Sequence, residues 1–113
     1  MQYMILIHND EKAYRARPQA EAERSMAAYG AYSQALVAAG VMEGGNRLDV
    51  ASKAKIVTVR ENTARVVNGP YAETKEELGG YYLINVETEA EAVEWAKKCP
   101  GAVHGTVELR PCM

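Results

Sequence analysis

The sequence predicts an α+β fold, with a ferredoxin-like antiparallel sheet and two long helices on one of its faces. Three observations carry this. Short runs rich in β-branched and aromatic residues alternate with two helical patterns, in the order strand, helix, strand, hairpin, strand, helix, strand. Both helical patterns have identifiable ends. Two of the strands are apolar on both sides, which requires cover on both sides of the sheet. The 113 residues leave room for one domain, spanning residues 1–113, around one core.

The chain opens with Tyr3-Met4-Ile5-Leu6-Ile7-His8, bounded by Asn9-Asp10. The run is too short for a helix pattern and has the isoleucine content of a strand. Tyr3, Ile5 and Ile7 face one way, and Met4, Leu6 and His8 the other. Residues 10–17 are polar and charged and read as a loop. Pro18 then opens a helix, because its missing N–H costs nothing in the first turn. Glu21 and Glu23 suit the positive end of that helix. Ala22, Met26, Tyr29, Ser33, Leu36 and Val37 recur at steps of three and four, and Gly40 closes it, giving a helix over about residues 19–39.

Val41 to Leu48 reads as an irregular strand with a glycine bulge at Gly44-Gly45. Ala54–Arg60 and Ala64–Val67, joined by Glu61-Asn62, form a β-hairpin. Asn68-Gly69-Pro70 breaks the pattern, and residues 71–78 read as a loop, with Thr74 and Glu77 at the spacing of a capping box. Tyr81-Tyr82-Leu83-Ile84-Asn85-Val86 is the second strand apolar on both faces. Thr88 and Glu91 cap a second helix carrying Ala92, Val93, Trp95, Ala96 and Cys99, which Pro100-Gly101 ends. Val103–Arg110 is the last strand, with Val103, Gly105, Val107 and Leu109 against His104, Thr106, Glu108 and Arg110. No third long helix is left to cover the open face, so its simplest cover is a second copy of the same sheet in a homodimer.

Composition narrows the partners. Thirteen basic against fifteen acidic residues give a net charge of −2 without a basic stripe, which argues against nucleic acid. No apolar run reaches the ~20 residues of a membrane helix, and the N-terminus lacks a basic segment followed by an apolar one and a cleavage site, so a cytoplasmic location is expected. Cys99 and Cys112 are not in a CxxC arrangement and read as free thiols. No GxxxxGK[ST] or GxGxxG pattern is present, and no zinc, haem or flavin signature, so no cofactor and no metal is expected. Phenylalanine is absent and seven tyrosines take its place. Their hydroxyls need partners when buried, which suits a wet cavity or an interface.

Several side chains are candidates for chemistry. His8, at the end of the first strand, is a candidate acid–base group, against the competing reading of an ordinary strand-end histidine. Glu108 and Arg110 lie on the polar side of the last strand, as a candidate general base and anion clamp, or as a structural ion pair. Tyr71, Glu73, Thr74 and Lys75 could line a pocket mouth, or the loop that bears them could serve a turn and a subunit contact. Tyr29 could face the sheet from the helix. Tyr81 and Tyr82 point to opposite faces, so only one of them can enter a given cavity; Tyr82 is the candidate.

The stretch from Asn68-Gly69-Pro70-Tyr71 through Gly79-Gly80-Tyr81-Tyr82-Leu83-Ile84 resembles the signature of the YCII-related (DGPF) family. Tyr3-Met4-Ile5-Leu6-Ile7, Met26-Ala27-Ala28-Tyr29, Ala39-Gly40-Val41 and Gly105–Pro111 resemble it too, so the likeness covers nearly the whole chain. The resemblance implies a dimeric α/β-barrel of two ferredoxin-like units. It also implies a cavity in which relatives use a histidine–aspartate pair, one branch being similar to dehydrochlorinases of hydroxylated aromatics. Here Asn68 stands where the motif opens with aspartate, and Tyr29 falls where the histidine is expected. Neither titrates near neutrality, which sets this chain apart from that chemistry. Three functional classes follow: a cofactor-independent enzyme moving protons on a compact ligand, such as an aromatic one, in a cavity between the two sheets; a non-catalytic binding or sensor module; and, since some relatives accompany extracytoplasmic-function sigma factors, a regulatory accessory protein.

Overall fold

The computed structural model describes residues 1–72 and 74–113. Its elements are β1 (Gln2–Asn9), α1 (Glu11–Arg15), α2 (Gln19–Ala38), β2 (Met42–Arg47), a 3₁₀ turn (Ala51–Lys53), β3 (Lys55–Arg60), β4 (Thr63–Asn68), β5 (Glu77–Asn85), α3 (Glu89–Lys98), α4 (Gly101–His104) and β6 (Thr106–Pro111). Four strands form an antiparallel sheet in the order β2-β5-β1-β6, and β3 and β4 form a separate two-stranded sheet. The α+β class and the antiparallel sheet are as expected.

Alternation along β1 sorts the molecule into two sides. Tyr3, Ile5 and Ile7 lie opposite Ile84, Tyr82 and Gly80 of β5, and Ile5 and Ile7 lie opposite Leu109 and Val107 of β6. These residues meet Tyr32 and Leu36 of α2, Ala92 of α3, and Cys99 in the core. Met4, Leu6 and His8 point to the other side, where none of the helices among the described residues lies over them.

The ends of the elements follow local chemistry. Helix α2 closes in a Schellman motif: Gly40 takes φ +73°, Val41 N–H donates to the Leu36 carbonyl at 3.1 Å, and Gly40 N–H to that of Val37 at 3.0 Å. In α3 the Thr88 hydroxyl accepts from Glu91 N–H at 3.2 Å, while the Glu91 carboxylate accepts from Glu87 N–H rather than from Thr88. Glu61 and Asn62 both adopt positive φ, 51° and 63°, which is the two-residue type I′ turn that the twist of a hairpin favours. The expected bulge in β2 lies between Met42 and Gly44.

Four expectations are corrected. Residues 11–15, read as loop, form a helical turn, because the Asp10 carboxylate caps it by accepting from Ala13 N–H at 3.1 Å. The last strand begins at Thr106: Val103 and His104 belong to α4, so an alternating apolar–polar pattern was continued there by a turn of helix. Strand β5 begins at Glu77, and Thr74 caps no helix; its hydroxyl donates to the Glu76 carbonyl at 2.6 Å. On α2 the buried residues are Tyr32 and Leu36, while Val37 is 65% exposed, so the stripe is rotated from the one read off the sequence. No helix of the described residues is long and apolar enough to cross a membrane.

Candidate functional site

The sheet carries different groupings on its two sides. On the helix-covered side, α2 and the short α1 stand off from the β2–β5 edge and leave a cleft of about 390 Å³. Its wall from α2 is Ala22, Met26, Tyr29 and Ser33. Its floor is Ile7, Gly80 and Tyr82, and its far rim is Met42, Gly45 and Arg47. Gly45 leaves the floor open: a Cβ there would stand 3.0 Å from Tyr82 Cδ1 and 2.9 Å from the Tyr81 carbonyl. The Ser33 and Tyr82 hydroxyls bond each other at 2.8 Å.

Charged groups ring the mouth, and most are engaged. Glu11 Oε1 accepts from Ala51 N–H at 2.8 Å, tying α1 to the 3₁₀ turn. Asp49 pairs with Lys53 at 2.8 Å and with Arg15 at 3.8 Å. Arg17 is held differently. Its guanidinium stacks 3.6 Å from the centre of the Tyr14 ring, and its Nε donates to the Tyr14 carbonyl at 2.7 Å. Its Nη1 is shielded from water and has no acceptor among the described residues. Among those residues neither Arg17 nor Arg47 forms a salt bridge. Burial pushes the Tyr29 phenol well above the usual tyrosine range, helped by Cys99, Tyr14 and Tyr82 and opposed by the nearby Arg17 charge. Burial also raises Tyr82, against the Ser33 hydrogen bond that lowers it. Both tyrosines therefore stay protonated and can donate.

The open side holds the other grouping. The pairing of β1 with β6 sets His8 opposite Thr106 and Leu6 opposite Glu108, so His8 and Glu108 are diagonal neighbours on one face. His8 Nε2 lies 3.2 Å from Glu108 Oε1. Glu108 Oε2 accepts from Arg110 Nε at 3.0 Å and from Arg110 Nη2. The Arg110 hydrogen bonds and then that of His8 hold the Glu108 carboxyl below the usual glutamate range. Beside this group lie the half-buried Met4, Leu6 and Leu83. Among the described residues, no three His, Cys, Asp or Glu side chains converge as a metal site requires.

The remaining candidates are scattered. Tyr29 and Tyr82 meet in the cleft, and His8, Glu108 and Arg110 meet on the opposite side of the sheet. Asn68, at the end of β4, accepts from Lys55 Nζ at the hairpin base. Tyr71 is 86% exposed and Lys75 is exposed, and neither lines the cleft. Glu73 lies outside the described residues. His104 sits exposed on α4, just before the point where Gly105 passes the His8 carbonyl and β6 pairs with β1. Sequence reasoning missed Arg17 and Arg47. The cluster Arg15-Ala16-Arg17 directly before Pro18 was a usable signal: a basic pair held by a short connection at a helix entrance.

Comparison with known proteins places the chain in one family. The family described as the YCII-related domain matches residues 1–113. An uncharacterised protein of Rhizobium meliloti (strain 1021) is 34% identical over 113 residues, covering 98% of this chain and 91% of that protein.

Proposed function

This chain belongs to the YCII-related domain family, and on that premise we propose that it is a small-molecule-binding protein whose ligand lies in the cleft between α2 and the β2–β5 edge. The observation that carries the reading is the cleft itself, about 390 Å³ with an apolar wall and a few converging donors. That is the size and character of sites that hold one compact ligand. The test is a fragment screen read by backbone amide chemical shifts. Ligands of this protein should shift Tyr29, Ser33, Gly45 and Tyr82 together. A screen in which every binding compound perturbs only Met4, Leu6, His8 and Leu83 would sink the reading.

A second reading is favoured by the His8–Glu108 contact at 3.2 Å. In it the four strands and their helices form a ferredoxin-like unit, and a second copy lays its open face on the first to make a dimeric α/β-barrel. His8 then serves as the acid–base group of a cofactor-independent enzyme, with Arg110 as anion clamp. Glu108, held ionised, suits orienting His8 better than taking a proton itself near neutrality. The half-buried apolar residues on that face support a partner of the same kind. Sedimentation of the protein and of Leu6→Arg tests the cover: a dimer that the substitution splits is expected, and a wild-type monomer at every concentration would end this reading.

A further inference from the structure

We propose that the cleft is an anion site: it takes a compact organic carboxylate, whose charged group sits on the Arg17 guanidinium with Arg47 as the second cation, and whose apolar body lies against Met26, Met42 and Tyr82. The inference rests on the reading of the cleft as the binding site and adds the chemical class of what it binds.

Several polar groups around the cleft already have partners. The carboxylates at its mouth are committed, Glu11 to the Ala51 amide and Asp49 to Lys53 and Arg15. Ser33 and Tyr82 satisfy each other. Among the groups left over are a guanidinium Nη1 with no acceptor among the described residues, Arg47 and the Tyr29 phenol. Guanidinium groups only donate. A shielded N–H with no acceptor is costly to leave unmade, and a ligand carboxylate or its bridging water is the group that removes the cost. A neutral acceptor would meet that N–H without the charge assistance a carboxylate adds.

Arg17 is also preorganised. Stacking on Tyr14 and the Nε bond to the Tyr14 carbonyl fix Arg17 before any ligand arrives. The rigid planar geometry of such a fork suits a carboxylate better than a rotating ammonium would. Fixing it in advance removes part of the ordering cost of binding. The volume lies at the low end of small-molecule sites, enough for a ring-sized apolar body.

The test compares benzoate with benzyl alcohol, which share a ring and differ in charge, by amide chemical-shift titration of the full chain. Benzoate should bind in the cleft, shifting Tyr29, Ser33 and Gly45, and more tightly than benzyl alcohol. Arg17→Gln should weaken benzoate at least about tenfold, as loss of a charge-assisted hydrogen bond would, and leave benzyl alcohol unchanged. Arg17→Lys, which keeps the charge, should lose less, and it stands in if the glutamine variant does not fold. If benzyl alcohol binds the cleft as well as benzoate, or Arg17→Gln leaves their ratio unchanged, the anion site is overturned while the cleft remains the ligand site. If neither compound shifts the cleft residues, both fail together.

Discussion

On β1, Tyr3, Ile5 and Ile7 are 2%, 0% and 6% exposed, whereas the alternate residues Met4, Leu6 and His8 stay half-buried. One strand thus serves two environments separated by the thickness of a sheet. The helix-covered side is closed by packing, and where α2 stands away from β2 it leaves a donor-lined cleft. The open side has no packing layer of its own, and its polar groups are instead drawn into the surface chain His8–Glu108–Arg110. Tyrosine- and charge-bearing strands thus enclose a cavity only where a second layer holds solvent off them.

The sharpest way to break this contrast is a pair of substitutions one residue apart. Ile5→Ala should cost about 2–5 kcal/mol, since it empties a fully enclosed position between β5 and β6. Leu6→Ala should cost less than half as much in the isolated chain, because less apolar surface is withdrawn from water there. Urea unfolding measures both. An equal, concentration-dependent loss for Leu6→Ala would mean that the open side is covered in solution. Next in size is Tyr32→Phe. The hydroxyl donates to the Trp95 carbonyl at 2.7 Å and ties α2 to α3, so its loss should cost about 1–2 kcal/mol.

Two pH limbs sharpen the comparison further. On the covered side, burial raises Cys99, Tyr29, Tyr32 and Tyr82. The folded state therefore holds their protons more tightly than the unfolded state does. Their contribution is complete below the unfolded values, about 8.5 for cysteine and about 10 for tyrosine, and is lost as pH rises from there toward the raised folded values. The urea midpoint should begin to fall above about pH 8.5 and fall more steeply past about pH 10. Cys99→Ala should remove the first step, and an unchanged slope would contradict the assignment. The smallest effect belongs to the open side. Arg110 and then His8 lower Glu108, so its contribution is present above the ordinary glutamate value of about 4.3 and lost as pH falls through the lowered one. Arg110→Gln should narrow the gap between urea midpoints measured at pH 6 and pH 3, and an unaltered gap would show that the pair adds nothing to stability.

Legibility varied with how local the deciding interaction is. The alternation of β1, the Gly40 closure of α2 and the Glu61-Asn62 turn were readable because neighbouring residues decide them. The reading failed at Val103-His104, where two more alternating residues looked like strand although the turn after Pro100-Gly101 keeps them helical. It failed at residues 11–15, where a single Asp10 cap suffices for one turn. On α2 the alanine-rich surface left the apolar stripe poorly defined, and packing chose Tyr32 over Val37. His8, Glu108 and Arg110 could be named as candidates. Their meeting depended on the β1–β6 register, which places a residue near position 8 beside one near 108.

By itself the sequence determined the class of the fold and the two-sidedness of its central strands, because periodicity and end signals act over a few residues, while the stretch from Asn68 to Ile84 carried the family likeness. Only the tertiary structure decided that Arg17, from the connection between α1 and α2, stands at one cleft with Tyr29, Arg47 and Tyr82. It also decided that His8 and Glu108 lie on the other side of the sheet from that cleft. The reason is geometric. A cavity is the gap between elements far apart in the chain, and its width is set by how α2 seats on the sheet, which no short stretch of residues specifies.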